Sequence, residues 1–143
     1  MENQNKIGLA IRILSNQVER EFERHIACSL PNGITGLQGR VIDFVKEQTD
    51  EVFQKDIEEE YGIQRSTATG MLQLMEKNGL LTREAVDYDA RLKKIVLTKK
   101  AIGIHARIKD EINRVENMLR EGLTEDEINT FFSVMKKISM KVK

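Results

Sequence analysis

This chain of 143 residues contains one proline, one cysteine and no tryptophan. Each scarcity excludes something. Proline removes a backbone donor and clashes with the preceding turn, so a chain with a single one can run long helices without internal breaks. One cysteine rules out a disulfide framework within the chain and fits a reducing compartment. Net charge is absent as well, because 23 Lys and Arg balance 23 Asp and Glu. No apolar run reaches membrane length, and the polar start Met1-Glu2-Asn3-Gln4-Asn5-Lys6 lacks the apolar core of a signal peptide. The expectation is a cytoplasmic protein without membrane contact. What is present is an apolar fraction of 40% and a charged fraction of 32%. That balance suits long helices with wetted outer faces. The length suits one unit with a substantial core.

The most informative stretch runs from Lys55 to Thr98. Apolar residues at 53, 57 and 61 mark one face of a helix. Gly62 follows, where a helix end favours a residue free to take positive φ. Ile63 to Met75 then places Ala68, Met71, Leu72 and Met75 on one stripe and leaves Arg65, Ser66, Thr67, Thr69 and Gln73 off it. Asn78-Gly79 closes this second helix. Two helices across a short glycine turn, the second with a polar outer face, form the helix-turn-helix pattern of DNA-binding proteins. Leu80–Val86 and Leu92–Leu97 read as two short strands around the polar segment Asp87-Tyr88-Asp89-Ala90-Arg91, a hairpin wing. Charge is distributed accordingly. From Ile63 to Lys100 there are eight Lys and Arg against four acids, which leaves fifteen against nineteen elsewhere. A locally basic surface on a neutral chain can still displace counterions from phosphates.

The flanking segments are helical. Ile7, Ala10, Ile11, Leu14, Val18, Phe22 and Ile26 recur every three or four residues, ahead of a break at Pro31-Asn32-Gly33. Thr35-Gly36-Leu37-Gln38 fits a capping box opening a helix with Leu37, Val41, Phe44 and Val45 on one face. Thr98 is a candidate N-cap, with Leu97 and Ile102 as its staple, for a helix carrying Ala101, Ile104, Ile108, Ile112, Val115 and Leu119. Thr124-Glu125-Asp126-Glu127 is another capping box, stapled by Leu123 and Ile128. It opens a helix faced by Ile128, Phe131, Phe132, Met135 and Ile138. The fold class is therefore mainly α with a small β-hairpin wing. A winged helix-turn-helix at 34–98 stands between helices at 6–30 and 99–141, which form a helical dimerisation layer from both chain ends. A symmetric dimer through that layer is preferred to an intramolecular bundle of the same helices, because a dimer also reads two half-sites.

Four stretches in order now resemble the MarR family of winged-helix transcriptional regulators. They are Gly36-Leu37-Gln38, Arg65-Ser66-Thr67-Ala68-Thr69, Glu76-Lys77-Asn78-Gly79-Leu80-Leu81, and Asp89-Ala90-Arg91 followed by Lys93-Lys94-Ile95-Val96-Leu97-Thr98. The resemblance spans essentially the whole chain. It implies a homodimer on a pseudo-palindromic operator of double-stranded DNA, with recognition helices in major grooves and wings at the flanking minor grooves. It also implies repression, often of the regulator's own operon, and in many members release of DNA by a small aromatic or phenolic effector. Three positions depart from the family pattern: Gly70 stands where a larger residue is usual, Ala101 where glycine is common, and Lys93-Lys94 where an arginine is frequent.

Roles follow from side-chain chemistry. Arg65 suits a phosphate or a bidentate guanine contact, while Ser66 or Thr67 either joins it or caps the helix. Thr69 and Gln73, four apart, both point towards the groove, the first to a thymine methyl and the second to adenine. Arg91 suits the negative potential of a narrow minor groove, and Asp89 orients it. Lys93 and Lys94 face opposite ways on a strand, so one of them meets phosphate. Cys28 reads as a buried or incidental thiol rather than a redox sensor, since no second cysteine resolves it. His25 and His105 have no cysteine at ligand spacing and read as surface or core histidines, so neither a metal nor a cofactor is expected. The run Glu58-Glu59-Glu60 is explained by an exposed helix face, and the six Met serve as core filler or as the lining of an adaptable pocket. There is no phosphate loop or nucleophile motif, hence no catalytic residue and no enzyme. The alternative function is a winged-helix protein–protein adaptor without DNA binding, which the basic wing and the polar helix face disfavour.

Overall fold

The computed structural model describes residues 5–31 and 33–143. Met1 to Gln4 and Asn32, the centre of the expected Pro31-Asn32-Gly33 break, lie outside the described residues. Eight elements follow in order: α1 (Ile7–Ser29), α2 (Gly36–Glu47), α3 (Gln54–Tyr61), α4 (Arg65–Lys77), β1 (Leu81–Val86), β2 (Asp89–Leu97), α5 (Lys99–Arg120) and α6 (Glu125–Lys141).

The caps form where hydroxyls stand at helix starts. The Thr35 hydroxyl accepts from the Gln38 amide at 3.1 Å and the Gln38 side chain accepts from the Thr35 amide at 3.3 Å, a complete capping box. Thr124 and Glu127 repeat it for α6. The Thr98 hydroxyl accepts from the Ala101 amide and donates to the Gly79 carbonyl at 2.6 Å, so one side chain starts α5 and fixes the end of α4. Such caps contribute about 1 kcal/mol each. Gly62 has φ 61°, so the turn between α3 and α4 uses the left-handed conformation that glycine adopts at no cost.

The core is one cluster formed where α1, α2 and α5 cross and where α4 and the hairpin close underneath. Ile26, Ile42, Ile57, Leu72, Met75 and Ile108 are fully buried in it. Each contributes about 1.5–3 kcal/mol through loss of water contact. α2 passes very close to α1. A Cβ added at Gly36 would lie 2.8 Å from the Glu23 backbone, and one at Gly39 would lie 2.7 Å from Ile26 Cγ2. Arg40 on α2 reaches back, its guanidinium 4.3 Å from the Phe22 ring centre, and Tyr61 donates to the Arg40 carbonyl at 2.6 Å. Burial raises the Tyr61 pKa, so this phenol keeps its proton.

The hairpin pairs antiparallel from Leu81↔Leu97 to Ala85↔Lys93 and then slips to Val86↔Asp89. Ala90, Arg91 and Leu92 fall within the slip and have no Cα partner on β1. The connecting turn is only Asp87-Tyr88, and Asp89 begins β2, so the five-residue turn expected at 87–91 is shorter than its composition suggests. A bulge consumes the remainder. On its outer side β2 takes one further bond, from the Ile95 amide to the Val52 carbonyl at 2.7 Å. That bond fastens the wing to the loop between α2 and α3.

The apolar stripes at the two chain ends are only partly used. Phe22 and Ile26 are buried, but Ile7, Ile11 and Leu14 are half or more exposed. No residue of α6 is buried, and Phe132 is 56% exposed. A single chain therefore does not fold α6 into a bundle with α1 and α5.

Candidate nucleic-acid interface

α4 is a two-faced helix. Ala68, Leu72 and Met75 are fully buried, while Arg65, Ser66, Thr67 and Gln73 are exposed. Its N-cap is Gln64, which makes no side-chain cap bond. The capping role considered for Ser66 or Thr67 is thus not realised: both lie one or two residues inside the helix, past the cap position, with their side chains in solvent. Thr69 also differs from expectation. It is half-buried, and its hydroxyl accepts a bond from the Gln54 amide group at 2.9 Å. Gln54 donates as well to the Arg65 carbonyl at 3.4 Å, so α3 grips the first turns of α4. Gly70 is exposed, and a Cβ there would meet nothing within 4 Å.

The wing presents Arg91. Its side chain is 89% exposed, yet it is held three ways by Asp89: backbone amide to Oδ1 at 2.9 Å, Nε to Oδ1 at 3.2 Å and a terminal nitrogen to Oδ2 at 3.1 Å. These bonds favour the carboxylate and hold the Asp89 pKa below its ordinary value. Lys93 is exposed, whereas Lys94 is half-buried on the other face with its ammonium 3.9 Å from Glu51. Tyr88 donates to the same Glu51 at 2.6 Å, and that bond pushes its pKa up to about 12. Arg83 pairs with Glu76 at 3.3 Å through side chain and backbone, linking β1 to the end of α4.

Gln54, Glu51 and Tyr88 were not among the residues singled out from sequence. Only the fold brings Gln54 against α4 and Glu51 against the wing. Tyr88 alone gave a signal, as an aromatic in an otherwise polar turn. Cys28 is exposed, which corrects the buried reading of this thiol. No helix among the described residues is long and apolar enough to cross a membrane.

A family model described as MarR family matches residues 32–92. The transcription regulator MarR from Oenococcus oeni PSU-1 is 31% identical, with a TM-score of 0.78 over 94% of this chain and 99% of that one. The chain belongs to the MarR family. It is a transcriptional regulator of that family, and nothing in these matches points to an enzyme. Two further structures extend the comparison to nucleic-acid complexes. CouR, a transcriptional repressor solved on a 23-mer DNA duplex, is 26% identical with a TM-score of 0.77 over 96% of this chain and 95% of that one. MepR from S. aureus in complex with DNA shares the fold at 20% identity, with a TM-score of 0.83 over 98% of this chain and all of that one. The expected architecture, a helical protein with a hairpin wing, is the one found in this MarR-family chain.

Proposed function

We propose that this MarR-family chain is a homodimeric repressor that binds a pseudo-palindromic operator of double-stranded DNA. One observation carries the reading: α4 buries Ala68, Leu72 and Met75 on one face and presents Arg65, Ser66, Thr67 and Gln73 on the other. A solvated helix needs no such row of hydrogen-bonding groups, and a major groove does. Arg91 enters the flanking minor groove, with Asp89 orienting its guanidinium. Lys93 meets phosphate. Lys94 and Thr69 support the surface through Glu51 and Gln54 instead of touching bases. CouR, seated on its duplex with the same fold, supports the DNA reading.

The uncovered apolar side chains of α1 and α6 support homodimerisation, since a second copy would offer the same apolar surface in return. The module at 34–98 then reads one half-site, and the helices at 6–30 and 99–141 pair the copies. An aromatic or phenolic effector would fit the open cleft of about 360 Å³ between α2, the loop after it and β2, where Val45, Val52, Ile95 and Leu97 offer apolar surface beside Asp50, Glu51 and Lys94. Its affinity for one spacing of the two recognition helices would release or retain DNA.

The test is a mobility shift on the DNA upstream of this protein's own gene across a salt series, with a reporter fused to the same promoter. A competitor-resistant complex of dimer size that weakens steeply with salt, together with raised reporter output on deletion, is expected. Lowered output on deletion would make the protein an activator. Absence of even non-specific binding at low salt would replace this reading with the adaptor.

A further inference from the structure

Two histidines lie between helices, each beside two carboxylates, and their geometries differ. His25 of α1 has Glu111 on its Nδ1 side at 3.3 Å and Glu21 on its Nε2 side at 3.6 Å. The carboxylates flank opposite nitrogens, and Glu111 is already bonded to Arg114 at 2.9 Å. Those donors cannot meet on one ion. At His105 of α5 both carboxylates face the same nitrogen. Nε2 lies 2.8 Å from Asp43 Oδ1 and 3.7 Å from Glu47 Oε1, and the three donor atoms all fall within 4.8 Å of one another. Donors bound at about 2.0–2.2 Å in tetrahedral geometry stand roughly 3.3 Å apart. The widest pair must therefore close by up to about 1.5 Å, a movement that the half-exposed Glu47 side chain allows.

The placement is constrained from both sides. Asp43 and Glu47 are one turn apart on α2, so their carboxylates project together. His105 comes from the packed face of α5, and its side chain is only 15% exposed. A cation already stands between the two carboxylates: the Lys109 ammonium lies 3.5 Å from Asp43 Oδ1 and 3.6 Å from Glu47 Oε1. Lys109 is one turn from His105 and 40% exposed at its side chain, so it can swing into solvent.

We propose that Asp43, Glu47 and His105 form a site for a divalent transition-metal ion, with Zn²⁺ the ion of choice. One imidazole nitrogen with two carboxylate oxygens suits Zn²⁺ above Mn²⁺ in intrinsic affinity, and the open side next to Glu47 leaves room for water as the fourth ligand. Binding displaces the Nε2 proton to solvent and the Lys109 ammonium from the carboxylates. The ion joins α2 of the winged module to α5. Metal binding itself does not depend on the DNA-binding reading.

The test is Zn²⁺ titration of the full-length protein in competition with a chromophoric chelator. Wild type is expected to take up a single equivalent. His105→Gln and Asp43→Asn should lose more than the roughly 10- to 100-fold that removal of a merely supporting group costs. Lys109→Met should bind more tightly, which a structural lesion would not produce, and His25→Gln should bind as wild type. No uptake by wild type overturns the proposal. So does equal uptake by wild type and by folded His105→Gln and Asp43→Asn, which would assign the ion to adventitious surface groups such as Cys28. Should His105→Gln fail to fold, Asp43→Asn and Lys109→Met decide between these outcomes.

Discussion

At Arg91 a fully charged side chain is both exposed and restrained. Asp89 fixes its direction before any partner arrives, so less rotamer entropy is lost on binding. Arg91→Ala is expected to weaken operator binding by about 1–3 kcal/mol, roughly 5- to 160-fold, in fluorescence anisotropy at physiological salt. Its thermal unfolding should move by no more than the small contribution of an exposed ion pair, because the side chain packs against nothing in the core. Unchanged affinity would remove Arg91 from the interface. The clasp also has a pH signature. Asp89 titrates below its ordinary value in the folded chain, so the clasp's contribution is complete above the ordinary carboxylate range and is lost as pH falls through the lowered value. Tyr88 has the opposite sign. Its pKa rises to about 12 in the folded chain, so its bond to Glu51 holds at neutral pH and is lost only in strong alkali. Carboxyl and phenol NMR titrations should therefore place the Asp89 midpoint below the ordinary carboxylate value and the Tyr88 midpoint near 12. An ordinary Asp89 titration would mean the clasp is not formed in solution.

Within and between elements, legibility depended on whether the signal was local. The capping boxes at Thr35 and Thr124 and the turn at Gly62 were readable because hydroxyl, amide and glycine act over a few residues. The register of the wing was not. Its slip at Ala85/Val86 and its bond to Val52 are both set by pairings across the chain that no local pattern states. The commitment of Thr69 to Gln54 was hidden for the same reason. Glycines show the contrast well. Gly39 and Gly70 both lie inside helices and look equivalent in sequence. Gly39→Ala must push Ile26 aside and is expected to cost about 1–3 kcal/mol in denaturant unfolding. Gly70→Ala enters open space and should stabilise by roughly 0.5–1 kcal/mol, the helix preference of alanine over glycine. If the two variants were equally stable, the close approach of α2 to α1 would be wrong.

For the whole molecule, the open question is what covers α6. Its sequence pattern was legible as an amphipathic helix, but a pattern does not say whether the partner is the same chain or another copy. With Phe131 and Phe132 in edge contact at 5.4 Å and both largely exposed, the structure leaves an aromatic pair facing outwards. Burying either ring contributes about 1.5–3 kcal/mol. Phe132→Glu is therefore expected to shift sedimentation from dimer to monomer and to weaken operator binding, while the winged module keeps its fold by NMR. A wild-type chain that sediments as a monomer at all accessible concentrations would overturn the dimer. The charge distribution was legible in sequence only as a count. The structure adds that Lys94 and Arg83 are partnered, so fewer cations meet phosphate than the local surplus suggests.

The vacancy beside Gly70 also bears on descent. Most positions on a reading helix are tied to the core or to a neighbouring helix, and changing them risks the fold before any new target is gained. Here a new side chain meets no neighbour and adds to helix stability. A duplicated copy of this gene could thus acquire a different operator through one amino-acid replacement at position 70, without compensating changes elsewhere. A selection of all replacements at that position against randomised operators should yield folded variants with shifted preferences, and uniform preferences would show that this position never faces a base.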